Sequence, residues 1–377
     1  MRLSCQQEDL HRGLSAVARA IPARSALPIT QHVLLTADGD QITLSATDAE
    51  TIAITYTITA SIDEGGSITM PSRLLSDFVA TLPRENIEMT LAERSRQVSL
   101  SCARNDASIG GMDPDDFPPI PPVDDSATIS VEAARFRRAL SQVVFAAAAD
   151  DSRPVLTGVH FAIDGTEMRL AAADGFRLAV HTLELPDSAS ECSVIVPARA
   201  LAELTRLLAE AEDAISVTFN AAGTQVQFDL GHAKLVAQLI QGTFPDTQRL
   251  IPEGHTSRTE VAVGEFNRET RIAQIFARDG SGIVRLVASP GEGGAPGRLT
   301  ISARAEELGT NEGEIDAIVE GEEVKVAFNG RYLREVLDVL DTDRVAIETQ
   351  DQPSPGVIRP LGDDSYVHVI MPMFVQW

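Results

Sequence analysis

Short runs of alternating apolar and polar residues recur along the chain: QITLSAT, TIAITYTITA, QVSLSCA, EMRLAAA, RLAVHTLEL, AISVTF, TQVQFDL, RLTISA and EVKVAF. A period of two places successive side chains on opposite faces, so each run predicts a half-buried strand. Turn pairs separate them, among them Asp38-Gly39, Asp164-Gly165, Asp174-Gly175 and Ala222-Gly223. Other segments carry a helical period. SITMPSRLLSDFVATL, SVIVPARALAELTRLL and EVKVAFNGRYLREVLDVL each read as a short strand followed by an amphipathic helix. Aligned on Arg73, Arg199 and Arg331, they superpose Leu75, Leu201 and Leu333, then Phe78, Leu204 and Val336, then Leu82, Leu208 and Leu340. Offsets of +2, +5 and +9 from the arginine trace one apolar stripe along a helix. Pro71 and Pro197 stand near the first turns, and Asn329 can cap the third helix.

A second helix, roughly over 8–21, 131–147 and 265–279, recurs with the same spacing. Leu10, Phe136 and Phe266 align on its apolar side, and Arg12, Arg138 and Arg268 on the other. Two helices that agree on one period of about 125–132 residues identify three diverged copies of one unit. The expected class is α+β, with two helices and six to eight antiparallel strands per copy. Expected domains are 1–126, 127–254 and 255–377, separated after FPPIPPVDD and FPDTQRLIPEGH. The Gly-rich run from Ser289 to Gly297 reads as a surface loop.

The charge balance sharpens this picture. The chain carries a formal net charge of -24, yet the six predicted helices together carry +1 and the rest -25. Arginines repeat at 3–4 or 7 spacing on single helix faces: Arg12 and Arg19; Arg135 and Arg138; Arg199 and Arg206; Arg268, Arg271 and Arg278; Arg331 and Arg334. A solvated surface explains any one such face. A neutral-to-positive inner face with an acidic exterior explains all of them, and suits loose contact with DNA phosphates. An aromatic content of 5 % disfavours a stacking groove for single strands.

Catalysis finds no residue set. The chain has no phosphate-cradling glycine loop, no nucleophile elbow and no zinc-protease helix. Acidic pairs such as Asp115-Asp116 and Asp124-Asp125 sit in proline-rich stretches that read as solvated loops. No two histidines have metal-ligand spacing, although His181 and His232 could sit in strands and meet in space. No metal or cofactor is expected. Cys5, Cys102 and Cys192 are widely separated, which fits small buried apolar residues in a reducing cytoplasm. No signal peptide or membrane span is read.

The phrases Thr47-Asp48-Ala49-Glu50, AAADGFRLAV from Ala171, QGTFPDTQRLIP from Gln241, FNGRYLREVLDVL and VIMPM from Val369 stand in an order that resembles the bacterial DNA polymerase III beta subunit family, the sliding clamps. The resemblance runs the length of the chain. It implies a non-catalytic, head-to-tail homodimer of three-domain subunits forming a ring, with helices lining a hole that duplex DNA threads and sheets outside. It also implies partners: the polymerase III alpha subunit, a clamp loader, and other polymerases and repair proteins carrying short clamp-binding motifs. A repeated peptide-binding scaffold that does not encircle DNA is the alternative, and the net acidity is its support.

For DNA, the resemblance points to Arg24 in the loop before Leu27-Pro28, with Arg153 and the helical Arg12, Arg19, Arg73, Arg135, Arg138, Arg199, Arg206, Arg268, Arg271 and Arg331 as companions. For partner peptides it points to a pocket of Leu156, Ala173, Gly175, Phe176, Arg177, Leu178, Pro245, Arg249 and Leu250, completed by Val369, Ile370, Met371, Pro372 and Met373. Ile275 and Phe276 match a subunit interface. Two departures stand out. Ala173 and Phe176 replace a hydroxyl and an imidazole common in relatives, and the apolar tail Phe374–Trp377 is longer and more aromatic than usual.

Overall fold

A computed structural model describes residues 1–120, 122–123, 127–211, 213–278, 281–291, 296–305, 309–350 and 353–377. The first expected domain boundary at Ser126, the Asp124-Asp125 pair and residues 292–295 of the Gly-rich run lie outside the described residues.

The first repeat runs β1 (Arg2–Gln6), α1 (Gln7–Val17), β2 (His32–Asp38), β3 (Gln41–Thr47), β4 (Ile52–Thr59), β5 (Ser61–Glu64), β6 (Gly66–Pro71), α2 (Ser72–Thr81), β7 (Asn86–Ala92), β8 (Gln97–Cys102) and β9 (Asn105–Gly110). The second has β10 (Ala127–Glu132), α3 (Ala133–Val143), β11 (Gly158–Ala173), β12 (Arg177–Pro197), α4 (Ala198–Leu207), β13 (Ala214–Phe219), β14 (Gln225–Asp229) and β15 (Ala233–Gln238). The third has β16 (Ser257–Ala262), α5 (Val263–Arg278), β17 (Ile283–Ser289), β18 (Gly297–Ala305), β19 (Gly309–Gly321), β20 (Val324–Asn329), α6 (Gly330–Leu337), β21 (Arg344–Thr349), β22 (Gly356–Pro360) and β23 (Tyr366–Ile370).

The chain is thus a three-domain α+β protein with helices backed by antiparallel sheets. The strand count departs from expectation in the first repeat, where β5 brings it to nine. In the second repeat β11 and β12 each run through the span of two strands elsewhere, with register shifts around Gly165. The helical stripe is observed: Leu75, Leu201 and Leu333 are fully buried, as are Leu204 and Val336. Burial of one such side chain contributes about 1.5–3 kcal/mol. Phe78 and Leu340 are the exceptions, both only partly covered, and Leu340 lies beyond the end of α6. Asn329 caps α6 as read, its Oδ1 accepting from the Arg331 backbone N–H at 2.9 Å. The Asp38-Gly39 turn closes a two-residue hairpin between β2 and β3, with Gly39 at φ +61°, a conformation that favours glycine. Cys5 and Cys102 are buried, and burial, reinforced by the charge of Asp9, pushes the Cys5 thiol up to about 12.

Compactness does not follow the repeat boundaries. One unit comprises 1–134 with 199–240, and the other 135–198 with 241–377. The reason is sheet continuity. In the first unit an eight-stranded sheet runs β10-β13-β14-β15-β4-β3-β2-β6, so the last strand of repeat two pairs with β4 of repeat one. A five-stranded sheet, β5-β1-β7-β8-β9, accompanies it. In the second unit a ten-stranded sheet, β11-β12-β23-β22-β21-β16-β19-β18-β17-β20, pairs the last strand of repeat three with β12 of repeat two. Among the described residues, no helix is long and apolar enough to cross a membrane.

Candidate DNA, partner and subunit interfaces

Most of the singled-out helical arginines keep their guanidinium near a carboxylate. Arg19 lies 3.5 Å from Glu203, and Arg206 is 2.8 Å from the same group. Arg199 is 3.5 Å from Asp48, Arg268 is 3.1 Å from Glu269, Arg271 is 2.6 Å from Asp338 and Arg331 is 2.8 Å from Glu335. Arg12 and Arg73 are looser, each 3.9 Å from Asp9 and Asp77 respectively. These eight are at least one-third exposed and can reach outward. Arg24 is exposed in the loop after α1 and makes no ion pair among the described residues. In the first unit α1, α2 and α4 enclose a groove of about 510 Å³ whose lining includes His11, Arg12, Arg19, Arg84 and Arg206. His11 and Arg84 were not singled out from sequence, since neither shares the arginine spacing.

Arg138 behaves differently from its aligned mates. Its guanidinium binds both oxygens of Asp341 at 2.6 Å and Asp363 at 2.6 Å. This geometry fixes the side chain to α6's following turn instead of releasing it toward phosphate. Burial pushes the Asp363 carboxyl up, but the hydrogen bonds from Ser365 and Arg138 outweigh it and bring it to about 2. Arg135 lines a neighbouring cavity of about 430 Å³ with Arg138 and His181.

Part of the proposed pocket set is tied to the loop between β11 and β12 by hydrogen bonds and strand pairing. Asp174 Oδ1 accepts from the backbone N–H groups of Phe176 at 2.9 Å and Arg177 at 3.0 Å, with Gly175 at φ +93°. This local turn presents Phe176 outward, 61 % exposed. The Phe176 carbonyl accepts from Met371 N–H at 2.8 Å, and Met373 N–H donates to the Ala327 carbonyl at 2.7 Å. Leu178 pairs with Val369 and Arg177 with Ile370 across β12 and β23. Leu156, Ala173, Leu178, Val369 and Ile370 are buried. Phe176, Pro245, Arg249, Leu250 and Met371 are exposed, and Pro372 and Met373 half-covered.

Arg177 is not a surface contact. It is buried, donating to Asp174 Oδ2 at 3.0 Å, to the Phe145 carbonyl at 2.7 Å and to Glu335, with its guanidinium 4.3 Å from the Tyr332 ring centre and 5.3 Å from that of Phe145. Its role is to hold the loop. Arg153 also serves the loop, donating to the Asp174 carbonyl at 2.6 Å. It packs against Gly175, where a Cβ would meet its guanidinium at 2.6 Å.

The same strands, β12 and β23, carry two buried histidines. His181 Nδ1 is 2.8 Å from Gln142 Oε1, and His368 Nδ1 is 3.2 Å from the Tyr366 hydroxyl. Burial, aided by the charge of Arg138, brings His181 down to about 4; burial, aided by Arg177, brings His368 down to about 3. Both rings stay neutral in the fold, whereas in the unfolded chain they titrate near the ordinary value of 6.5. Below that pH the unfolded state takes up protons that the folded state refuses. Stability is therefore full above about pH 6.5 and falls on acidification toward pH 4, by about 1.4 kcal/mol per pH unit for each histidine. Urea unfolding at pH 7 and pH 5 checks this. His181→Gln and His368→Gln should flatten the decline, and an equal decline in both variants would contradict it.

Two repeat junctions are paired within the chain, and among the described residues the corresponding strands of the third are left open. Repeat two's last strand joins repeat one with Ala237 opposite Ile52, and repeat three's joins repeat two with Val369 opposite Leu178. The equivalent last strand of repeat one is β9, and the equivalent acceptor in repeat three is the 309–317 part of β19. Among the described residues, β9 pairs only with β8, and that part of β19 only with β18. The helices beside these edges agree. Leu74 of α2 is 55 % exposed, whereas its counterpart Ala200 is buried; Phe78 is partly open, whereas Leu204 and Val336 are buried. On α5, Ile272 and Ile275 are 36 % and 61 % exposed. The counterparts of Ile272, Ala16 and Gln142, are buried. Phe276 is half-buried.

Among the described residues, no group of three or more His, Cys, Asp or Glu side chains could hold a metal ion. His181 and His232 each have other company: Gln142 for the first, the edge of Tyr56 at 5.2 Å for the second. Family models describe the N-terminal, central and C-terminal domains of the DNA polymerase III beta subunit, and they match residues 1–121, 130–246 and 248–374. The beta sliding clamp of Staphylococcus aureus is 32 % identical over 383 residues, covering 99 % of both chains. Among solved structures, the DNA polymerase sliding clamp of Bacillus subtilis superposes with a TM-score of 0.92 at 26 % identity, over 100 % of each chain. The DNA polymerase III subunit beta of Pseudomonas aeruginosa gives 0.89 at 27 %, again over 100 % of each. With all three domain models in order and near-complete coverage, the chain belongs to the DNA polymerase III beta subunit family, the beta sliding clamps.

Proposed function

We propose that two copies of this chain close head to tail into a six-domain ring around duplex DNA, in domains 1–126, 127–254 and 255–377. The protein is a non-catalytic sliding clamp that confers processivity on DNA polymerase III. The ring reading rests on the open edges of β9 and β19, which stand where the other two repeat junctions are paired. A second copy supplies the missing strand to each, and Leu74 and Phe78 of one copy meet Ile272, Ile275 and Phe276 of the other. Closure in this way repeats one junction six times. A topological link explains processivity without tight binding, so Arg24 and the exposed helical arginines need touch phosphates only weakly.

Phe176, Leu250 and Met371, all exposed, together with the buried aliphatic Leu178, Val369 and Ile370, are the proposed docking site for short motifs of the polymerase alpha subunit, the clamp loader, other polymerases and repair proteins. Methionine and aromatic side chains adapt to varied apolar peptides, and the carbonyls and N–H groups of the loop and tail fix an extended chain. Such partners place the protein in the cytoplasm. Phe374 and Trp377 are 80 % and 52 % exposed and extend the apolar surface. Deleting Phe374–Trp377 should change the affinity for a fluorescent alpha-subunit motif peptide by a few fold, the scale of one exposed aromatic contact. An unchanged Kd would remove the tail from the site.

Retention on DNA tests the whole reading. After loading by a clamp loader with ATP, the protein should persist on closed circular duplex and run off once the circle is linearised. A peptide-binding scaffold would show equal retention on both.

A further inference from the structure

In all three repeats the aligned arginine of the second helix is followed four residues later by a carboxylate: Asp77 after Arg73, Glu203 after Arg199 and Glu335 after Arg331. One turn apart, these groups share a helix face. Glu203 takes Arg206 on both oxygens at 2.8 Å and lies 3.5 Å from Arg19 on a different helix. Glu335 is 2.8 Å from Arg331, and Asp77 is 3.9 Å from Arg73. Asp338 gathers more: Arg271 at 2.6 Å, Asn267 at 3.0 Å and Arg334 at 3.7 Å. It occupies the C-cap of α6, where a negative charge opposes the helix dipole. Helix stability therefore does not account for it, while its arginine contacts do. Burial pushes its carboxyl up, yet the bonds from Arg271 and Asn267 outweigh this and hold it below the ordinary range.

A guanidinium held in this way is already partly neutralised, so a phosphate competes with the carboxylate for its charge and its N–H donors. Each DNA contact becomes an exchange of one anion for another, with little net gain and little barrier to release. Unpaired arginines would instead release a condensed counterion from DNA for every phosphate touched, and binding would tighten steeply at low salt. We infer that the carboxylates paired with the helix arginines, Glu203 and Asp338 foremost, hold the affinity of the clamp for duplex DNA low by competing with phosphates. This rests on the reading of these helices as the DNA-facing surface.

The test uses the intact dimer and a short fluorescent linear duplex, with binding measured by anisotropy across a series of KCl concentrations. Glu203→Gln and Asp338→Asn keep shape and acceptor oxygen but release the arginines. Each should tighten binding about two- to fivefold, the scale of an exposed ion pair. The slope of log K against log salt should steepen by about 0.9 for each added phosphate contact. Glu88→Gln makes the same charge change on exposed β7, away from the helices, and should leave binding unchanged. The two test residues lie in different compact units, so misfolding of one variant leaves the other to decide. Unchanged or weaker binding in the folded Gln or Asn variants overturns the inference. So does equal tightening by Glu88→Gln, which would make net charge the cause. Arg271→Ala separates the levels. If it weakens binding while the carboxylate variants do not tighten it, the DNA-facing reading stands and the competition fails. If it too has no effect, both fall.

Discussion

Ser108→Pro should convert the dimer to a folded monomer. Gly111 N–H donates to the Arg96 carbonyl across β9 and β8. By the alternation of an antiparallel ladder, residues 109, 107 and 105 also bond toward β8, and 110, 108 and 106 point to the open edge. Proline at 108 removes one outward N–H and places its ring against the incoming strand, while the β8 ladder is spared. Edge strands tolerate proline for this reason. Ile275→Asp attacks the same junction from the other subunit by leaving an unpaired carboxylate in a closed apolar contact. Such a charge costs about 3–5 kcal/mol per junction, and the closed dimer contains two of these junctions, so its dimer constant falls by at least about two to four orders of magnitude. Sedimentation equilibrium should find monomers for either variant at concentrations where the parent is dimeric. Each monomer should still unfold cooperatively, because Ser108 and Ile275 are exposed in the single chain, although its thermal midpoint loses the contribution that association gives the dimeric parent. A dimer of undiminished stability in both variants would refute the β9–β19 closure. Loss of ring retention on circular DNA should accompany the monomers.

What sequence could reveal follows from range. The helices and their buried stripe were readable because +2, +5 and +9 spacing is local. The repeat was readable because two independent helices share one period. The turn at Asp174-Gly175 was readable for the same local reason. Arg138 and Arg177 were not, since their carboxylate partners Asp363 and Glu335 lie 225 and 158 residues away. Sequence placed both among surface contacts; the fold turns each into a brace. The exposure of Phe78 was also invisible. Its spacing makes it core, as its counterparts are, and only the absence of a neighbouring repeat in the same chain opens it. Symmetry in sequence thus predicts the core, and the places where the structure breaks that symmetry mark the candidate interfaces.

Arg177→Met should be the most damaging single change at the pocket. The guanidinium satisfies Asp174 and Glu335, bonds the Phe145 carbonyl and stacks on Tyr332. Methionine roughly keeps the volume and the contact with the rings. It leaves two partly buried carboxylates without their cation, and removing one partner of a buried pair costs about 3–5 kcal/mol. Urea unfolding should show that loss. Affinity for the alpha-subunit motif peptide should fall at least tenfold by the same argument, since about 1.4 kcal/mol of loop ordering corresponds to a factor of ten. The reason is the chain of contacts: without Arg177, Asp174 no longer anchors the turn from both sides, and Phe176 loses the fixed carbonyl that receives Met371 N–H. Adding Glu335→Gln should restore part of the stability by removing one uncompensated charge. It should restore less of the peptide affinity, because the neutral amide still leaves Asp174 without its cation. A proportional recovery of both would mean that Arg177 acts on the pocket only through global stability. No loss in either measurement would show that the buried network does not organise the pocket at all.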